Sequence, residues 1–174
     1  MVEQGRLLPV LVGIVANHVQ HDHGAVLADF CRFLQRLISH KRKESRVSTM
    51  QLKSSKSSLR ADSVVALDVT EPTELDIQSK ITEAGYLRIM TMGLDVHPQS
   101  QRLYIEVCRL VALLCFDTVA TPHADNQVDI ADSGLFTAIC ERLQSACISE
   151  EEAAAGYAAI SALAYENGVS VLDL

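Results

Sequence analysis

The sequence has no tryptophan, and its 174 residues include only four phenylalanines, four tyrosines and four prolines. So few rings argue against an extended base-stacking platform for single-stranded nucleic acid. The apolar content is left to Leu, Val, Ile and Ala, a helical palette more than a sandwich palette. The five cysteines, Cys31, Cys108, Cys115, Cys140 and Cys147, are odd in number and form no CxxC. That argues against a disulfide framework and fits a reducing compartment. Two cysteine pairs are spaced by seven, so each pair is expected to share a helix face and behave as core apolar residues. The most continuous apolar run, residues 7–16, falls short of the roughly 20 residues that cross a bilayer. It also lacks a basic leader and a small-residue cleavage site, so a buried helix is expected there rather than a signal peptide. No GxGxxG, P-loop, GxSxG or HExxH motif occurs.

What is present is 48% hydrophobic residues, 21% charged residues and a formal net charge of −7. That balance describes a folded globular chain, of a length for one domain or one short stack of repeats. The charge is unevenly spread. Residues 41–60, KRKESRVSTMQLKSSKSSLR, hold seven basic residues, one acid and six serines. With no apolar stripe, this stretch is expected to be a solvated, mobile basic linker, and 41–76 is assigned as linker or degenerate repeat.

Three segments align without gaps on Gly5, Gly85 and Gly134. At two, five and nine residues after the glycine stand Leu7, Val10 and Ile14, then Leu87, Met90 and Leu94, then Phe136, Ile139 and Leu143. That spacing puts three apolar side chains on one helix face. After a polar connector a second stripe follows: Leu27, Phe30, Cys31 and Leu34; Val107, Leu110, Val111 and Leu114; Gly156, Ala159, Ile160 and Leu163. The third copy enters its last helix through a capping box, Ser149 to Glu152. Each unit therefore reads as a short helix, a glycine bend, a second helix, a connector and a third helix. A lone unit cannot bury both stripes, so the units must stack.

The Ile-x-x-x-Gly entry, the Leu/Phe-rich second helix, the connector His97-Pro98-Gln99-Ser100 and the ending Ala159-Ile160-Ser161-Ala162-Leu163-Ala164 resemble the armadillo repeat. HEAT repeats are the near neighbour, with two helices in place of three. The resemblance implies an all-α, right-handed solenoid with units at 1–40, 77–117 and 118–167 and the start of a truncated further unit at 168–174. It also implies a non-catalytic scaffold that binds other proteins or peptide segments on the concave face lined by third helices. The alternative is a regulatory armadillo segment of a larger multidomain enzyme or trafficking complex. The third helices lack the asparagine ladder of importin-like members, which argues against import-receptor-type binding.

On each third helix, the face opposite the core stripe carries Asp29, Arg32 and Arg36, then Arg109, Ala112 and Phe116, then Ala158, Ser161 and Tyr165. Arg32, Arg36 and Arg109 are the expected steering residues for an acidic segment, with Phe116 and Tyr165 holding its apolar anchors. The cluster His18, His21, Asp22 and His23 is metal-competent in composition but falls in a connector where polar residues belong, so neither metal nor cofactor is expected. Cys31 belongs to the buried stripe, where a thiol is inert. No enzyme, no nucleic-acid partner and no membrane span are expected, in a cytoplasmic or nuclear setting.

Overall fold

The computed structural model describes residues 7–20, 24–55, 77–116 and 121–165, and of 7 and 44–55 only the backbone. They form eight helices: α1 Leu7–His18, α2 Ala25–Ser55, α3 Ile77–Glu83, α4 Tyr86–Val96, α5 Gln101–Leu114, α6 Ala124–Asp132, α7 Leu135–Leu143 and α8 Glu150–Ala164. The fold is all-helical. Among the described residues no strand forms, only an isolated bridge between Phe116 and Pro122.

The helices pack in three rows. α5 lies between α2 and α8, α4 lies between α1 and α7, and α3 packs on α6. The first row consists of the three helices that close each repeat, so their stripes decide the core. Leu27, Cys31 and Leu34 of α2, Val107, Leu110, Val111 and Leu114 of α5, and Ala159 and Leu163 of α8 are all buried. Phe30 and Ile160 are half-buried against the same core. Ser100 and Ser149 cap α5 and α8 at the same offset from the glycine, each accepting the backbone N–H three residues on. Glu152 closes the capping box by accepting the Ser149 N–H at 3.0 Å.

Gly85 and Gly134 adopt φ of 87° and 83° as the caps of α4 and α7, which turns the first short helix of a unit sharply into the second. An L side chain adopts this left-handed region only at a cost. Gly5 lies outside the described residues. Glycine has a different task at Gly156 of α8. A methyl group there would run into the Tyr104 hydroxyl and the Leu143 side chain, so its absence sets the spacing between α5 and α8.

Three expectations are corrected. In the first unit Val10 and Ile14 are exposed, while Leu8, Val15 and Val19 are buried. The nearly unbroken apolar run of α1 has no polar face to set its phase, so an alignment anchored on Gly5 places it out of register. The basic stretch from residue 41 is not a loop as far as Ser55, because α2 continues through it. Lys, Arg, Glu, Gln and Met are good helix formers, and a helix already nucleated needs no apolar stripe to extend. The described helix thus crosses the boundary drawn at residues 40 and 41. Finally, Cys140 is half-buried and Cys147 exposed. Cys147 lies in the turn beyond α7, so the two do not share one helix face.

Two glycine substitutions test this packing by different physics. Gly85→Ala meets open space, so its destabilisation of about 1–2 kcal/mol in urea melts comes from φ alone. Gly156→Ala gains about 1 kcal/mol of helix propensity. Overpacking against Tyr104 and Leu143 outweighs that gain, costing about 1–3 kcal/mol. A Gly156→Ala protein more stable than the parent would show that the α5–α8 spacing is wrong.

Candidate partner-binding face

The row α2–α5–α8 carries its polar residues along the two seams between helices. Glu106 of α5 is 2% exposed and faces α2. Arg32 donates to Glu106 Oε1 from Nη2 at 2.6 Å and Nε at 3.2 Å. Gln35 donates to Oε2 at 2.9 Å and to the Glu106 carbonyl at 3.0 Å. Arg109, one turn along α5, reaches the same carboxylate at 3.4 Å and crosses the second seam to Glu151 of α8 at 3.1 Å. Nearer the start of α5, Arg102 pairs with Asp29 of α2. Burial pushes the Glu106 carboxyl up. The hydrogen bonds from Arg32 and Gln35, with the charges of Arg32 and Arg109, outweigh it and hold the group below the usual carboxylate range. The same balance holds Glu152 low: burial is outweighed by the Ser149 N–H, the Arg142 guanidinium and the Ser149 hydroxyl.

The far end of the row is organised by side-chain amides. Gln78 of α3 donates to the carbonyls of Leu113, at 3.3 Å, and of Phe116, and Arg42 of α2 joins it at both. Gln127 of α6 donates to the carbonyls of Ala162 at 2.9 Å and Tyr165 at 3.0 Å. Both glutamines stand seven residues before a bend glycine, and both bond the carbonyls 28 and 31 residues after it. They supply donors to carbonyls at the C-terminal ends of α5 and α8, where intrahelical partners run out. With both helix ends so held, Phe116 and Tyr165 meet at 5.4 Å between ring centroids, tilted by 50°.

The expected partner-binding residues therefore fall into two groups. Arg32 and Arg109 share Glu106, with Arg36 exposed one turn beyond Arg32. Phe116, half-buried, and Tyr165, exposed, form a ring pair at the other end. Sequence reasoning missed Glu106, whose partner lies 74 residues away and leaves no local pattern. It also missed Gln78 and Gln127, although their shared offset was there to be read.

The remaining chemistry-bearing groups have local explanations. Burial pushes the Cys31 thiol up, and those of Cys108 and Cys115 up to about 12, so none of the three offers a thiolate near neutrality. His123 Nδ1 accepts the Asn126 N–H at 3.3 Å, which leaves the ring proton on Nε2, 2.9 Å from Ser79 Oγ. Ser79 is then an acceptor there, the reverse of an activated nucleophile. Of the histidine cluster only His18 lies among the described residues, in the last turn of α1; His21, Asp22 and His23 lie outside them. No helix among the described residues is long and apolar enough to cross a membrane. A groove of about 370 Å³ runs beside α7, lined by Asp95, His97, Tyr104, Glu141 and Arg142 among others. Its guanidinium is already engaged by Glu152 at 2.6 Å. Compared with known proteins, the chain matches no family model, no curated protein and no solved structure.

The two depressed carboxylates give a pH test. Each has a folded pKa below its unfolded value, so its stabilisation is complete above the ordinary carboxylate range and is lost as pH falls through the folded pKa. Thermal melts of the parent should therefore fall steeply below about pH 5. The Glu106→Gln/Glu152→Gln variant should melt lower at neutral pH and show a shallower acid limb. Parallel limbs in the two proteins would place the acid-sensitive groups elsewhere.

Proposed function

We propose that this chain is a non-catalytic interaction scaffold, an armadillo-like right-handed solenoid that binds partner segments across the α2–α5–α8 face. The observation that carries this reading is the side-by-side packing of the three helices that end each repeat, with their polar seams on one surface. Along those seams three arginines, Arg32, Arg102 and Arg109, pair with three carboxylates, Asp29, Glu106 and Glu151, and Arg36 adds an exposed guanidinium one turn beyond Arg32. On a protein of net charge −7, that surface is the place where an acidic segment meets guanidinium groups. Glu106 holds Arg32 and Arg109 in position while their outer faces stay in water, and Arg36 is exposed for direct pairing. The Phe116–Tyr165 rings supply the apolar end of the same surface. The partner class is an acidic protein segment with apolar anchors, met in the cytoplasm or nucleus.

The test is fluorescence anisotropy with two peptide sets, acidic and basic, each carrying Leu and Phe anchors. The acidic set should bind and the basic set should not. Arg36→Ala/Arg109→Ala should weaken binding about tenfold or more, since a charge-assisted hydrogen bond is worth about 1.5–3 kcal/mol. Arg88→Ala, exposed on α4 away from the row, is the control and should leave affinity unchanged. Equal binding of both peptide sets, or an equal weakening in the Arg88 variant, would remove this face as the site.

A further inference from the structure

The row of three helices has two outer flanks, and the repeat tells which residues belong to them. Positions on α5 and α8 correspond at a separation of 49 residues, the distance between Gly85 and Gly134. Tyr104, Cys108, Val111 and Cys115 of α5 are all buried. Their counterparts on α8 are Ala153, Tyr157, Ile160 and Ala164, an apolar strip on which Tyr157 is 63% exposed. At the other end, α5 faces α2 through Glu106 and Leu113 among others. The counterparts 80 residues earlier are Val26 and Phe33, 38% and 46% exposed. Each flank is thus the half of a seam whose other half is formed, inside the row, by the neighbouring unit.

The charges around Glu106 at the first seam, and Arg109 at the second, have uncharged counterparts on the flanks. The positions of Arg32 and Arg109 are taken on α8 by Ser161 and Ala158, and the position of Glu106 is taken on α2 by Val26. A charged partner would find no counter-charge at these positions, whereas each flank is apolar where the other is apolar.

We propose that the α8 flank of one molecule docks on the α2 flank of a second copy, continuing the α2–α5–α8 row from chain to chain. The contact is heterologous, head to tail, so each molecule keeps one flank open and growth does not stop at a dimer unless a ring closes. The surface is separate from the arginine face and does not rest on the proposed peptide binding.

Sedimentation velocity of the full 174-residue chain over a concentration series tests this. The weight-average sedimentation coefficient should rise with concentration past the dimer value. Phe33→Asp, which blocks one flank, and Tyr157→Asp, which blocks the other, should each be monomeric alone. Mixed one to one, they should form a dimer and nothing larger, because each retains the flank its partner needs. Val26→Lys and Ala164→Lys, at exposed positions, form a second pair that should behave identically, with helical content checked by circular dichroism. A parent that stays monomeric throughout, a blocked variant of normal helicity that still assembles alone, or a mixture that stays monomeric would each overturn the head-to-tail contact.

Discussion

Nine of the fourteen residues of α5 are buried, because this helix packs on α2 with one flank, on α8 with the other and on the second row behind. A helix with neighbours on three sides must be apolar over most of its circumference. Everything else is arranged around it. α2 and α8 need only one apolar side each for α5, and the glycine at 156 allows the second of them close approach. The connectors begin α5 and α8 at equivalent serines, so equivalent turns stand side by side.

The one carboxylate that α5 buries shows what such a position demands. Leaving Glu106 ionised away from water is costly unless its hydration is replaced by donors. Arg32, Gln35 and Arg109 supply them from two helices. A buried charge with partners on a neighbouring helix constrains how α2 can slide along α5, since a shift of one turn would leave the carboxylate bare. The half-exposed guanidinium groups give up little hydration in return. They are the same groups that face outward on the surface assigned to partner binding, so architecture and the proposed recognition draw on one set of side chains.

The third-helix stripes were legible in the sequence because polar and apolar residues alternate there at helical period, which sets the phase of each helix. The bends at Gly85 and Gly134 were legible from their place between two apolar runs, and the capping box from its residue order. α1 was legible as a helix but not in register: with few polar residues, periodicity has nothing to measure. The extension of α2 to Ser55 was hidden for the opposite reason, a stretch so polar that it has no stripe. The candidate face was only partly visible. Offsets from the glycine picked out Arg32, Arg109, Phe116 and Tyr165, while the carboxylate that gathers the first two depends on a contact between distant units. The arrangement of the units into a right-handed solenoid belongs to the proposal, as does the binding itself.

The paired glutamines have a consequence for the history of the chain. Gln78 and Gln127 each hold carbonyls 35 and 38 residues further on, within their own unit and in the same register. The glutamine and its carbonyls lie inside one unit and would be copied together if that unit were duplicated, whereas Arg42, which joins Gln78 at both carbonyls, comes from α2. Contacts between units, such as Arg32 to Glu106, depend instead on which units become neighbours. A second copy of such a unit would bring its own glutamine to its own helix end. The two internal seams, by contrast, are built differently from one another, with Arg32 and Gln35 on Glu106 at the first and Arg109 on Glu151 at the second.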